Sequence, residues 1–440
     1  MTTATAALQV GIARDAGDGL RPEYDPARPE LRRDPYPHYR VLRDLAPVHW
    51  APRTRGWCVA RNEDVLFVLK NPEIFSSRAM FTFLMNQGHP GRPPLSWKML
   101  RFVARFAWST RLNPFEFATA RNLIAEDGER HAAMRRIVNR AFTPQRIGAW
   151  EDRVRELVAA SIAKLRTEGS FDVVADLAIP VPVGIISEML GVEPSRRADF
   201  KRWSDTIIES TSGAGRDDPF NPRMVDTIIE LITYLRQVSE ERKRKPADDM
   251  VSLIVAEQQG DMALSIREVI QFVMLLLVAG NETTTNLIGN AVSALLDHPD
   301  QLERVAAEPA LVPRLVEETL RWDAPVQVLF RTTTREVELA GTTIPAGAYV
   351  VPLLGSANRD ERAYADPDRF DVTRAPQPHL AFGFGEHFCL GAALARLEAR
   401  AALEALVPEL PGLVRRGPTE LVDSFLVRGP KRLELGRRVA

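Results

Sequence analysis

A helical pattern about thirty residues long constrains this chain more than any other stretch. It opens on the capping box Ser265-Ile266-Arg267-Glu268, continues to about Leu296 and is stopped by His298-Pro299. At ~1.5 Å per residue such a helix is roughly 50 Å long, enough to cross a whole molecule of this size. Its centre, Ala279-Gly280-Asn281-Glu282-Thr283-Thr284-Thr285, is a poor helix sequence. Glycine there costs up to about 1 kcal/mol, and β-branched threonines with a carboxylate add to the cost. Polar residues in the middle of a buried helix need a reason. Either the threonine hydroxyls bond back to the preceding turn while Glu282 faces solvent, or the interruption serves a site.

The second constraint is Phe382-Gly383-Phe384-Gly385-Glu386-His387-Phe388-Cys389-Leu390-Gly391, which sets one cysteine in a glycine-rich loop directly before a strongly helical segment at 392–405. The free amides and positive end of a following helix favour an anion, so a cysteine so placed has a lowered pKa. Gly383, Gly385 and Gly391 permit close approach of a flat, bulky ligand. Structural zinc needs further Cys or His ligands in paired spacing, and an iron–sulfur cluster needs more thiolates. The only other cysteine is Cys58, inside a β-prone run where packing is its default role. A nucleophilic Cys389 with His387 as its base, a structural thiol in a turn, and a single axial thiolate on haem iron all remain open from these residues alone.

The whole chain narrows the partners. Among 440 residues the formal net charge is −1, so nothing points to nucleic acid. Two cysteines make no disulfide framework, and a reducing cytoplasm is the simplest compartment. Residues 1–19 carry Asp15 and Asp18 and no apolar core, so neither a signal peptide nor a stable membrane anchor is expected. The strongest apolar run, 269–279, falls far short of the ~20 residues of a spanning helix. The expectation is a flexible tail over 1–20 followed by a single domain over 21–440.

Short strand signals at 47–50 and 56–60 are followed by predominantly helical patterns from about Arg130 onward. The segments 154–165 and 182–190 are amphipathic, with Gly191 a C′ stop, and 204–210 and 225–242 read as helices joined by 213–221. A second strand-rich patch covers 337–351, with turns at Ala340-Gly341-Thr342 and Pro345-Ala346-Gly347. The fold class is mainly α with a minor β region.

The cysteine loop resembles that of the cytochrome P450 family, Phe-x-x-Gly-x-x-x-Cys-x-Gly, at Phe382, Gly385, Cys389 and Gly391. Ala279-Gly280-x-Glu282-Thr283 resembles the family's acid–alcohol motif, Glu318-x-x-Arg321 its buried ion pair, and Asn358-Arg359-Asp360 another recurrent segment. Matches run from Asp34-Pro35-Tyr36 to Arg428-Gly429-Pro430, nearly the whole chain. With no N-terminal anchor expected, the resemblance is to the soluble, bacterial-type class. The resemblance implies haem b (iron protoporphyrin IX) between the long distal helix and the proximal loop, with Cys389 as iron ligand and Phe382 packed beside it. It implies that Ala279 and Gly280 leave room for O2 and substrate, that Thr283 hydrogen-bonds the iron-bound oxygen, and that Glu282 relays protons. His131, Arg135, Arg331 and His387 would hold the propionates. Asp127-Gly128-Glu129-Arg130-His131 departs from the family's common form, which has two prolines after the Asp.

The same resemblance implies a pocket lined by Leu276, Val326, Gln327, Val328, Leu329, Phe425, Leu426 and Val427, apolar except for Gln327. A hydrophobic substrate such as a terpenoid, steroid, fatty acid or polyketide follows, oxidised with O2 and electrons from NAD(P)H through a ferredoxin- or flavodoxin-type donor and its reductase. Arg136, Arg140 and Arg396 are candidates for the donor's docking face. A peroxide-driven peroxygenase and a non-catalytic haem–thiolate carrier or sensor are the alternatives, both disfavoured by an intact Glu282-Thr283. The segment 95–112 reads as an amphipathic helix, Met99, Phe102, Val103 and Phe106 opposite Lys98, Arg101 and Arg105. Packing on the core is its default; with Phe81, Phe83, Leu84 and Met85 upstream, it also reads as a lid.

Overall fold

The computed structural model describes residues 12–14, 20–78, 96–118, 120, 122–196, 198–203, 206, 221–256 and 264–438. Most of the expected N-terminal tail, Phe81, Phe83, Leu84 and Met85, and most of the expected helix at 204–210 with its connection lie outside them. The chain is mostly helical with small sheets. It forms two compact units, one built from 1–91, 290–389 and 419–431, the other from 92–289, 390–418 and 432–440.

The first unit is organised by a five-stranded sheet in the order Val48–Ala51, Gly56–Val59, Tyr349–Pro352, Arg331–Thr333, Phe75–Ser76. Gly56–Val59 pairs antiparallel with Val48–Ala51 and parallel with Tyr349–Pro352, Cys58 lying opposite Val351. Val59, Val350 and Val351 are fully buried, as β-branched residues on a central strand should be. Two helices here were not legible: Tyr36–Leu45 and Asn62–Lys70. The first buries only Tyr39, Leu42 and Arg43, and Arg43 reaches Glu361 at 3.0 Å. The expected turn at Ala340-Gly341 joins Val337–Leu339 to Thr342–Ile344 in a two-residue hairpin, with φ of 47° and 76°.

In the second unit the helix Glu151–Glu168 packs against Ala392–Leu406, with ion pairs Arg155–Glu404 at 3.0 Å and Arg400–Glu151 at 3.1 Å between them. A three-stranded sheet orders Leu413–Arg415, Glu434–Arg437 and Ser170–Asp172. The helix Pro180–Met189 ends as expected, with Gly191 at φ 68°.

The long helix runs from Ile266 to Asp297, about 48 Å. Its capping box forms: the Ser265 amide donates to Glu268 Oε2 at 2.7 Å, and the Glu268 amide to Ser265 Oγ at 3.3 Å. Part of its polar centre has a packing explanation. Ala178 would normally give its carbonyl to the amide four residues on, but that residue is Pro182, which has none. Thr285 Oγ1 donates to this carbonyl at 2.9 Å instead. Further along, Asn290 Nδ2 donates to the Asp323 and Arg428 carbonyls at 2.9 and 3.1 Å.

Candidate functional site

Local backbone chemistry shapes the cysteine loop. The Gly383 amide donates to the Leu380 carbonyl at 2.9 Å, Phe388 to Gly385 at 3.1 Å, and Cys389 to Phe382 at 2.9 Å. The chain thus folds back on itself and presents Cys389 half-buried. Gly385 has φ 74°, and a Cβ there would stand 2.9 Å from the Leu69 carbonyl, so glycine is required twice over. Lys70 sits 5.1 Å over the Phe384 ring, and Phe382 lies 6.2 Å from Phe388. Phe384 and Phe388 are about two-fifths exposed, at 40% and 41%. Cys58 contrasts with Cys389: it is fully buried, and burial first, then Asp25, pushes its thiol well above the ordinary range. Cys389 is therefore the one cysteine suited to act as a thiolate.

The Glu318–Arg321 pair is a buried bidentate bridge, both contacts at 2.8 Å. Arg321 also donates to the carbonyls of Asn358, Pro367 and Arg369 at 3.1, 2.8 and 3.2 Å. Asn358 Oδ1 in turn accepts from the Leu380 amide at 2.7 Å, so the pair supports the base of the cysteine loop. Arg331 is buried at the start of its strand and donates to the Phe330 carbonyl at 2.8 Å. His387 lies 3.5 Å from Glu386.

The expected pocket residues in this unit divide. Val326, Leu329, Phe425 and Leu426 are partly exposed, whereas Gln327, Val328 and Val427 are buried. Val326 bridges to Val427, and Phe425 meets Phe330 edge-on at 6.0 Å. Gln327 is a correction. Its amide donates to the Ala324 carbonyl at 2.8 Å and to Tyr36 Oη at 3.3 Å, and its Oε1 accepts from Tyr39 at 3.2 Å. Those bonds tie it into packing and leave no polar anchor for a ligand.

In the second unit the middle of the long helix carries Leu276, Ala279, Gly280, Glu282 and Thr283, all partly or fully exposed. Thr283 Oγ1 donates to the Ala279 carbonyl at 2.7 Å, which fixes its rotamer and leaves its lone pairs outward. Burial lifts the Glu282 carboxyl from 4.5 to about 7, and among the described residues no cation offsets that. Glu282 is thus only partly open to solvent. Gly280 does not simply leave space: a Cβ there would meet Ile186 Cδ1 at 2.6 Å, so the glycine admits a packing neighbour. His131 and Arg135 lie one turn apart on the helix Gly128–Asn139, His131 buried and Arg135 partly so. The departure at Asp127-Gly128 is a left-handed Gly128, φ 65°.

One titratable group was missed. Glu398, on the inner face of Ala392–Leu406, is fully buried and hydrogen-bonded to Thr284, and its Oε1 has no partner among the described residues. Burial, partly offset by Thr284, raises its carboxyl from 4.5 to about 8. Its signal was visible as a lone glutamate among Leu394, Leu397, Ala401 and Ala402 at helical spacing. Because the folded state holds this proton more tightly than the unfolded chain, stability falls as pH rises from about 4.5 to about 8 and is level beyond. Glu398→Gln removes that loss. Thermal melts across this range should show the variant gaining on the parent by an amount on the order of a few kcal/mol; parallel curves would show that Glu398 is not the group.

The model of the family described as Cytochrome P450 matches residues 218–434. A putative cytochrome P450, YjiB of Bacillus subtilis (strain 168), is 36% identical over 89% of this chain and 91% of its own. The vitamin D(3) 25-hydroxylase of Pseudonocardia autotrophica is 41% identical over 71% of this chain and 76% of its own. The crystal structure of CYP109E1 from Bacillus megaterium in complex with testosterone superposes with a TM-score of 0.77 at 33% identity, covering 92% of this chain and 100% of that one.

Proposed function

This chain belongs to the cytochrome P450 family of haem-thiolate monooxygenases, and on that premise we propose that Cys389 ligates the iron of haem b while Glu282 and Thr283 deliver protons for oxidation of a sterol-sized hydrophobic molecule. The residues present fit such a group. The loop offers a single half-buried sulfur, rings of Phe384 and Phe388 that need apolar cover, and open space where a Cβ on Gly391 would stand. His131, Arg135, Arg331 and His387 are the hydrogen-bond donors proposed for the propionates. When bound, the haem supplies the O2 and one-electron chemistry, with the thiolate favouring O–O cleavage.

The observation that carries the reading is the pairing, on adjacent positions of one helix, of a carboxyl titrating near neutrality with an oriented hydroxyl. Oxygenation consumes O2, two electrons and two protons to give oxidised product and water. A buried site then needs a proton route, and a group with a pKa near the working pH both accepts and releases protons readily. Glu282 meets that condition, and Thr283, its own proton committed to Ala279, can accept the next hydrogen bond. A peroxide-driven reaction brings its own protons and needs neither residue.

Thr283→Ala is expected to raise the peroxide released per NAD(P)H consumed several-fold at unchanged haem content. Unchanged coupling would remove Thr283 from the route. In Glu282→Gln the inflection near pH 7 in the turnover profile should vanish. Turnover is read with NAD(P)H and a surrogate ferredoxin or flavodoxin donor with its reductase, the electron source proposed here. The relatives' vitamin D and testosterone support a sterol or secosteroid substrate class, tested by screening such compounds for a haem spin-state shift.

A further inference from the structure

The helix Trp97–Thr110 in the second unit has an outer face that the proposed reaction does not use. Ser96 caps it, its side chain accepting from the Met99 amide at 3.2 Å. Its inner face buries Phe106 and Thr110, and Phe106 meets Phe117 at 5.3 Å. Arg105 pairs with Asp226 of the helix Pro222–Arg244, so the element is held in place rather than free-standing. A helix so anchored should turn polar residues outward. This one turns large apolar side chains outward among its cations: Trp97 is 80% exposed, Trp108 88% and Leu100 49%, and Phe115, just beyond the helix, is 71% exposed.

At ~100° per residue Trp97, Arg101, Ala104 and Trp108 form one stripe, with the two indoles about 16 Å apart along the axis. Between Ser96 and Asn113 the chain carries Lys98, Arg101, Arg105 and Arg111 and no carboxylate. Arg101 and Arg111 are exposed and, among the described residues, have no acidic partner. Large aromatic rings with one polar edge, interleaved with long cationic side chains, suit the headgroup level of a bilayer: the rings enter the boundary while the guanidinium groups stay at the phosphates. Pairing with a second copy is disfavoured by the same charges, because a two-fold contact along this stripe would set arginine against arginine.

We propose that the outer face of the helix Trp97–Thr110 docks on an anionic lipid surface, Trp97 and Trp108 seating at headgroup level and Arg101 and Arg111 pairing with lipid phosphates. The test is flotation of the full haem-loaded chain with vesicles of phosphatidylcholine alone and of phosphatidylcholine mixed equally with phosphatidylglycerol. Binding is expected to the mixed vesicles, to be released by salt, and to be absent with phosphatidylcholine alone. Arg101→Gln with Arg111→Gln should weaken it by roughly 25-fold, at about fivefold per charge. Trp97→Ser with Trp108→Ser should weaken it by about tenfold as well. All four positions are exposed, and an unchanged reduced-carbonyl spectrum verifies that each variant is folded. The proposal is overturned if the parent binds neither vesicle, if both variants bind as the parent does, or if the tryptophans instead mediate dimerisation seen by sedimentation.

Discussion

Replacing Cys389 with serine is expected to abolish the reduced-carbonyl Soret band diagnostic of thiolate ligation and to reduce turnover to background. Only two sulfurs could ligate iron as thiolate, and burial holds Cys58 as a neutral thiol. Cys58→Ala therefore serves as the control and should keep the band. A serine hydroxyl at 389 neither pushes electron density as a thiolate does nor ionises at neutral pH, so any bound haem would show an altered spectrum. The experiment separates iron ligation from the other two readings left open by the sequence. A nucleophilic or purely structural Cys389 would leave the band intact, and a persistent band in Cys389→Ser would disprove the ligand assignment. The Cys389 amide bond to the Phe382 carbonyl, which helps to shape the loop, is one that serine retains.

What was legible beforehand followed the strength of the local signal. The long helix combined a reciprocal capping box with sustained periodicity, and both appear within about one residue of expectation. The hairpin at Ala340-Gly341 was announced by turn chemistry. The helices Tyr36–Leu45 and Asn62–Lys70 were not: they are short and bury few residues, so periodicity over two or three turns gave little to read. The strands Ser170–Asp172, Leu413–Arg415 and Glu434–Arg437 are three or four residues long and form one sheet whose first member is more than two hundred residues from the others.

The candidate site shows the same division. The family resemblance singled out Cys389, Glu282 and Thr283, but tertiary packing decided the surroundings. Gln327 turned inward because Tyr36, Tyr39 and Ala324 offered it bonds, and Gly280 met Ile186 because Pro180–Met189 crosses there. Glu282 and Glu398 acquire unusual pKa values only from burial, which composition does not reveal. The back-bonding threonine and the functional threonine also prove to be compatible readings, since one hydroxyl can donate to Ala279 and accept elsewhere.

Arg321→Met should be the most destabilising single change at a residue with no proposed chemistry. It strands the Glu318 carboxylate in the core and leaves the carbonyls of Asn358, Pro367 and Arg369 without their shared donor. Breaking a buried pair from one side costs about 3–5 kcal/mol, far more than the few tenths that an exposed i,i+3 pair contributes. Arg374, 3.3 Å from Glu318 Oε1, can take over part of the carboxylate, so the lower end of that range is expected. The second partner separates charge from shape. Glu318→Gln with Arg321→Met removes the uncompensated charge and should be less destabilised in chemical melts than Arg321→Met alone. The route from the pair to the cysteine passes through Asn358, whose carbonyl accepts from Arg321 and whose Oδ1 holds the Leu380 amide at the loop's base. Haem retention should therefore decline at lower denaturant than helix content does in Arg321→Met. Coincident loss of the two would confine the pair to global stability, and an unchanged melt would mean that it behaves as a solvated surface pair.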